Sequence, residues 1–129
     1  MLPPFSTRVS CWLILDPDFE KWLCEQEEGV QDSIFAHAGY LGTFGPSLGR
    51  LQVDTIKGSK LPNLKELRVS YRGEPWRVLF VFDPKRQAIL LIGGNKGGDA
   101  RWYKKNIPIA EQRYERHLKQ MEKENGEKA

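Results

Sequence analysis

With 129 residues, 40% hydrophobic and 29% charged, the chain has the composition of one globular domain with its own core, which excludes a disordered or low-complexity protein. No apolar run approaches the roughly 18 residues that a membrane-spanning helix needs, and the opening MLPPFSTRVSCWLILD holds only five consecutive apolar residues, a poor secretory leader. The formal net charge of +3 divides unevenly: residues 1–49 hold two cations against seven acids, and residues 50–129 hold 18 cations against 10 acids. The basic part fits an anionic partner or, as plainly, a solvated lysine-rich surface. Cys11 and Cys24 lie in apolar settings without CxxC spacing, as expected of small hydrophobes in a reduced, cytoplasmic protein.

In chain order, residues 9–15 read as a first strand leading into Asp16-Pro17, a helix start with Asp as N-cap and Pro at the first helical position. Phe19, Trp22 and Leu23 give that helix one apolar face. Gly29 is expected to interrupt it, before a second helix with Val30, Ile34, Phe35, Ala38 and Leu41 on one stripe. GTFGPSLG reads as a loop and VDTIKGS as a further strand or an approach loop. Residues 66–71, 76–83 and 88–94 are then strands separated by the turn-like RGEP and PKRQ, an antiparallel meander. NIPIAEQRYERHLKQMEK places Ala110, Tyr114, Leu118 and Met121 at helical spacing, with Pro108 near the start. The order β-α-α-β-β-β-α predicts an α+β fold: an antiparallel sheet with an N-terminal helical hairpin and a C-terminal helix. The whole is one domain, its core at about 9–118 and a frayed charged tail at about 119–129.

Pleating places two arginines. A four-residue loop at 72–75 pairs Tyr71 with Trp76, Val69 with Val78 and Leu67 with Phe80 on the core face. Arg68 and Arg77 then share the opposite face of neighbouring strands, diagonally related. In LLIGGNKGGDARWYKK, paired glycines would let the backbone approach a ligand and would deliver Lys96, with Arg101, Tyr103, Lys104 and Lys105 close behind. A cluster of Arg68, Arg77, Lys96 and Tyr103, with no acid of its own, suits no metal and needs no cofactor. It suits a phosphodiester, whose charge guanidiniums bind and stabilise, while Tyr103 or Trp102 stacks on a base. Further RNA contacts are expected from Lys57, Lys60, Lys65, Arg101, Trp102, Lys104 and Lys105. The cations should depress the Tyr103 phenol and help it act as a base. His37 and His117 lack an Asp or Cys at a meaningful spacing, and GGNKGG lacks the spacing of a nucleotide phosphate loop.

The run LKELRVSYRGEPWRVLFVFDPKRQAILLIGGNKGGDARWYKK resembles the RelE/HigB superfamily of toxins from bacterial type II toxin–antitoxin modules. The likeness is to its HigB-like branch, which includes phage Gp49-like proteins. It is carried by ELR, the aromatic-Arg-Val strand, the apolar strand ending in a basic residue and the helix holding an aromatic, over about residues 9–118. The resemblance implies a RelE-like fold and a metal-independent endoribonuclease that enters the ribosomal A site and cuts translated mRNA. In that chemistry a 2′-hydroxyl attacks the adjacent phosphate. The resemblance makes Arg68 and Arg77 the phosphate-holding pair, Lys96 the transition-state cation and Tyr103 the stacking or acid–base aromatic, with a helix-turn-helix antitoxin as partner. The branch often carries a double lysine and a proline after the last strand. Here one lysine stands there, so Lys96, Lys104 and Lys105 are alternatives. Three rivals stay open: a same-fold poison of DNA gyrase, a non-catalytic RNA-binding module and a degenerate relic that no longer acts.

Overall fold

A computed structural model describes residues 7–8, 12–44 and 53–128. The elements are β1 (Thr7–Arg8), β2 (Leu13–Leu15), α1 (Pro17–Cys24), α2 (Glu28–Phe44), β3 (Val53–Thr55), β4 (Lys65–Tyr71), β5 (Glu74–Phe82), β6 (Ala88–Asn95) and α3 (Trp102–Lys128). The strands form one sheet in the order β1-β2-β6-β5-β4-β3. The α+β class and the antiparallel β4-β5-β6 meander match the expectation from sequence. The sheet is nevertheless mixed: β2 runs parallel to β6, Leu13 opposite Ala88 and Leu15 opposite Leu90. All three β2 residues are buried, as an interior strand covered on both faces requires. Residues 9–11 of the expected first strand lie outside the described residues.

Asp16 fixes the start of α1. Its Oδ1 accepts the backbone N–H of Asp18 at 2.9 Å and of Phe19 at 3.2 Å, and Pro17 occupies the first turn. Gly29 does not break the next helix; it lies inside α2, and the break falls at residues 25–27. A Cβ at Gly29 would run into the ring and hydroxyl of Tyr71, so the glycine is a packing requirement. Val30, Ile34 and Ala38 of the expected stripe are buried, whereas Phe35 is 37% exposed. The side chain of Leu41 and residues 45–52, most of the expected GTFGPSLG loop, lie outside the described residues. Cys24 ends α1 exposed to solvent, which corrects its reading as a small buried hydrophobe; Cys11 lies outside the described residues.

Strand alternation divides the core into two halves. Leu67, Val69, Val78, Phe80 and Leu90 point into a cluster sealed by α1 and α2. Leu79, Val81, Ile89 and Leu91 point the other way, against Trp102, Ala110 and Tyr114 of α3. The turn between β4 and β5 is shorter than expected. Arg72 (φ 52°) and Gly73 (φ 77°) alone connect the strands, both in the left-handed region, as the tightest hairpin turns require. Tyr71 therefore pairs with Glu74, not with Trp76, and every pairing moves by two residues. An even shift preserves the faces, so the core side of each strand is as anticipated.

The last helix starts earlier than its periodicity implies. The Asp99 side chain accepts the Arg101 N–H at 3.0 Å and its carbonyl accepts that of Trp102 at 3.3 Å, which opens α3 ahead of Pro108. Pro108 thus lies inside the helix, and the helix continues to Lys128. No helix among the described residues is long and apolar enough to cross a membrane.

One buried carboxylate ties the two ends of the fold together. Asp16 is 2% exposed, and Arg116 Nη2 reaches its Oδ2 at 2.6 Å while Arg113 Nε stands 3.8 Å from Oδ1. Arg113 also donates to the Leu91 carbonyl at 2.8 Å. Replacing Asp16 removes the helix cap and leaves half-buried guanidiniums without their acceptor. Chemical denaturation should find Asp16→Ala destabilised by about 3 kcal/mol, against well under 1 kcal/mol for removal of the exposed Lys119–Glu115 pair.

Candidate active site

The α3 helix covers only part of its sheet face. Beyond its first turn the strands present Glu66 and Arg68 from β4 and Arg77 from β5, with Lys96 just past the end of β6. Arg68 and Arg77 are direct cross-strand partners, closer than the diagonal relation read from the sequence, because of the two-residue turn.

The glycines before Lys96 do not face a ligand. A Cβ on Gly93 would lie 2.7 Å from the Trp22 ring, and one on Gly94 would lie 2.6 Å from Trp102 Nε1. They are small because two tryptophans pack over the strand, one on each face. Trp102 is 5% exposed, so it is a core residue and not a stacking platform for a base, which corrects that expectation. Its burial over Gly94 sets where α3 begins and so carries Tyr103, the next residue, to the arginines.

Read from the sequence, Glu66 is a structural surface partner for Arg68 and Arg77, the alternative to their phosphate role, and not a member of the site. The cluster does contain an acid, and it sits at the centre with its side chain only 7% exposed. Arg68 Nε donates to Glu66 Oε1 at 3.1 Å, and Arg77 Nε stands 3.9 Å from Oε2. The Tyr103 hydroxyl donates to Oε2 at 2.5 Å. Lys96 Nζ in turn donates to the Tyr103 oxygen at 3.3 Å and lies 5.2 Å from the ring centroid. A second carboxylate, Asp54 on β3, takes Arg68 Nη2 at 3.1 Å. The signal for Glu66 was present in ELR: it shares β4 with Arg68 two residues away and therefore shares its face.

The two arginines differ. Arg68 keeps 35% of its side chain exposed, and the hydrogen bond to Glu66 pushes its pKa further up. Arg77 keeps only 14%; its Nη1 donates to the Trp76 carbonyl at 2.9 Å, and its buried Nε has no hydrogen-bond partner. An N–H of that kind is a donor waiting for an acceptor. Both arginines line a hollow of about 410 Å³ with His37, Ser70, Glu74 and Pro75, large enough for a nucleotide. The acid neutralises much of the cluster's charge and still leaves that space.

Tyr103 is not the acidic phenol expected beside cations. Burial, the hydrogen bond to Glu66 and that carboxylate's charge push it up to about 12, and Arg77 opposes them only in part. Lys57, Lys60, Arg101 and Lys104 are exposed. The Lys60 backbone N–H is held by Glu111 at 2.6 Å, which ties the β3–β4 loop to α3. Lys65 bonds Thr55 Oγ1 at 3.2 Å and alternates to the face away from Arg68. Lys105 pairs with Asp99 at 3.2 Å. His117, read as lacking an acidic partner, is buried with Nε2 3.1 Å from Asp83 Oδ2. That pair lies under α3, and Asp83 also accepts the N–H groups of Lys85 and Gln87 at 2.9 Å, so it fastens the β5–β6 turn. Among the described residues no group of three or more His, Cys, Asp or Glu side chains gathers to hold a metal ion.

A raised phenol pKa has a direct consequence for stability. The neutral form is favoured by folding, so its contribution is complete below the ordinary tyrosine pKa of about 10 and is lost as pH climbs through the folded value of about 12. Ultraviolet titration should show a late-ionising phenol in the native protein that is missing from Tyr103→Phe, whose alkaline unfolding loses the same limb.

The model of the phage-derived Gp49-like protein family matches residues 21–115. A Mycobacterium tuberculosis protein named "Putative toxin HigB3" is 46% identical over 107 residues, 82% of this chain and 92% of that protein. Another from the same organism, "Putative toxin HigB2", is 42% identical over 103 residues, 78% of this chain and 51% of that protein. No solved structure matches the chain. The stretch 21–115 holds the end of α1, all of α2, the meander and every member of the arginine–glutamate–lysine–tyrosine cluster, and the chain therefore belongs to the Gp49-like, RelE/HigB-type family.

Proposed function

We propose that this protein is the toxin of a type II toxin–antitoxin module and acts as a metal-independent endoribonuclease on mRNA under translation in the cytoplasm. The observation that carries the reading is the directly opposed Arg68–Arg77 pair, both lining a nucleotide-sized hollow. The toxin names of the two relatives support the same reading.

In this reading the scissile phosphate seats between Arg68 and Arg77, whose guanidiniums bind phosphate oxygens by charge-assisted hydrogen bonds. The attacking 2′-hydroxyl forms a bond to phosphorus as the 5′-oxygen leaves, giving a 2′,3′-cyclic phosphate and a 5′-hydroxyl. Negative charge grows on the non-bridging oxygens in the transition state, and fixed guanidiniums stabilise it without reorganising. Lys96 adds a third positive charge from the β6 end. Tyr103, its one proton given to Glu66, holds that carboxylate and Lys96 in place and does not act as a phenolate base. Exposed Lys57, Lys60, Arg101 and Lys104 supply long-range attraction to ribosomal and messenger RNA. A helix-turn-helix antitoxin, covering this basic face, would neutralise the toxin.

Induced expression with primer extension on translated transcripts tests the reading. The wild-type chain should arrest growth and create new 5′ ends, whereas Arg77→Ala and Lys96→Ala should each lose about 100-fold or more in cleavage. Full toxicity in both variants, with supercoiling defects in place of RNA ends, would instead identify a gyrase poison.

A further inference from the structure

The reaction just described leaves one question open, namely which group takes the 2′-hydroxyl proton. Arg68 and Arg77 cannot, because guanidinium does not deprotonate at biological pH. Tyr103 is pushed up to about 12 and already spends its proton on Glu66. Glu66 has Oε1 taken by Arg68 and Oε2 by Tyr103. Lys96 faces the phenol and is absent from the lining of the hollow that both arginines share. The acid–base machinery expected from the sequence therefore stands behind the phosphate seat.

The opposite wall of the hollow is different. There the hollow reaches α2, which packs on the other face of the sheet; its half-buried His37 lines the same 410 Å³ space as Arg68 and Arg77. His37 Nδ1 lies 2.8 Å from the Ser33 carbonyl oxygen. A carbonyl only accepts, so Nδ1 carries the hydrogen, and in the neutral ring Nε2 holds a free lone pair. Lining the hollow with His37 are Arg68 and Ser70 from β4 and Arg77, Glu74 and Pro75 from β5; Tyr40 of α2 itself packs edge-on at 6.4 Å. Glu74 is the other basic atom source there, and its Oε2 is occupied by Asn95 Nδ2 at 2.6 Å.

We propose that His37 is a catalytic residue of this site, its Nε2 accepting the 2′-hydroxyl proton of RNA seated on Arg68 and Arg77. The O2′–P bond forms while the P–O5′ bond breaks. The 5′-oxygen takes a proton from water, and the imidazolium returns its proton to solvent, so nothing is consumed. The inference rests on the endoribonuclease reading and adds to it a residue from the helical hairpin, outside the arginine–lysine–tyrosine cluster.

The test is single-turnover cleavage of a defined mRNA on translating ribosomes, by the full chain, from pH 5.5 to 8. Wild-type cleavage should rise with pH and then level off, as a reaction that needs an unprotonated base does. His37→Gln and His37→Ala should each cleave about 100-fold more slowly and lose that limb, and their melting temperatures should confirm that they fold. Cleavage by His37→Gln within threefold of wild type, with the limb intact, would overturn the proposal and leave the nuclease reading standing. A limb lost in Glu74→Gln but kept in His37→Gln would overturn it in favour of the carboxylate. Absence of any wild-type cleavage would instead sink the nuclease reading, and this inference with it.

Discussion

Two guanidiniums placed directly across a strand pair repel one another by about 4 kcal/mol at 4 Å in a partly desolvated setting. The buried Glu66 carboxylate is what allows them to coexist, because it takes Arg68 on one oxygen and stands against Arg77 on the other. The same oxygen that faces Arg77 accepts the Tyr103 hydroxyl, so α3 is joined to β4 through the site itself. Electrostatic pairing and helix docking are in this way one interaction. Arg77 Nε is left buried without a hydrogen-bond acceptor, 3.9 Å from the Glu66 carboxylate.

The site also depends on how the sheet is covered. The α1–α2 hairpin closes one face completely, and α3 closes the other only from Trp102 onward. The Trp102 indole over Gly94 acts as the stop that leaves the neighbouring stretch of sheet free for Arg68, Arg77 and Lys96. A glycine pair that looks like a ligand-approach motif is thus required by aromatic packing on each side of β6.

Much of this was legible in the chain. The alternation in β4 and β5 assigned the faces correctly, and the Asp16-Pro17 start held in detail, because both follow from local rules of pleat and capping. The exact register was not legible, because Arg72 adopts a left-handed conformation that its side chain does not advertise. Nor was the parallel pairing of β2 with β6, a contact between segments far apart in sequence. Within the site, the cationic members could be named from residue type, whereas Glu66 was passed over because an acid beside arginines reads as a surface partner until its burial is known. The Tyr103 pKa failed for the same reason: the cations were counted, and the desolvation and the carboxylate were not.

The Asp16–Arg116 bond joins positions 100 residues apart, and the parallel β2–β6 ladder likewise waits for a strand near the end of the chain. Such distant closures make the topology slow to assemble relative to a chain of neighbouring hairpins. During synthesis, β2 and the N-terminal helices must remain without their sheet partner until β6 has emerged, and Tyr103 follows later still. A nascent chain halted before that point carries Arg68 and Arg77 without the Lys96 and Tyr103 that complete their cluster.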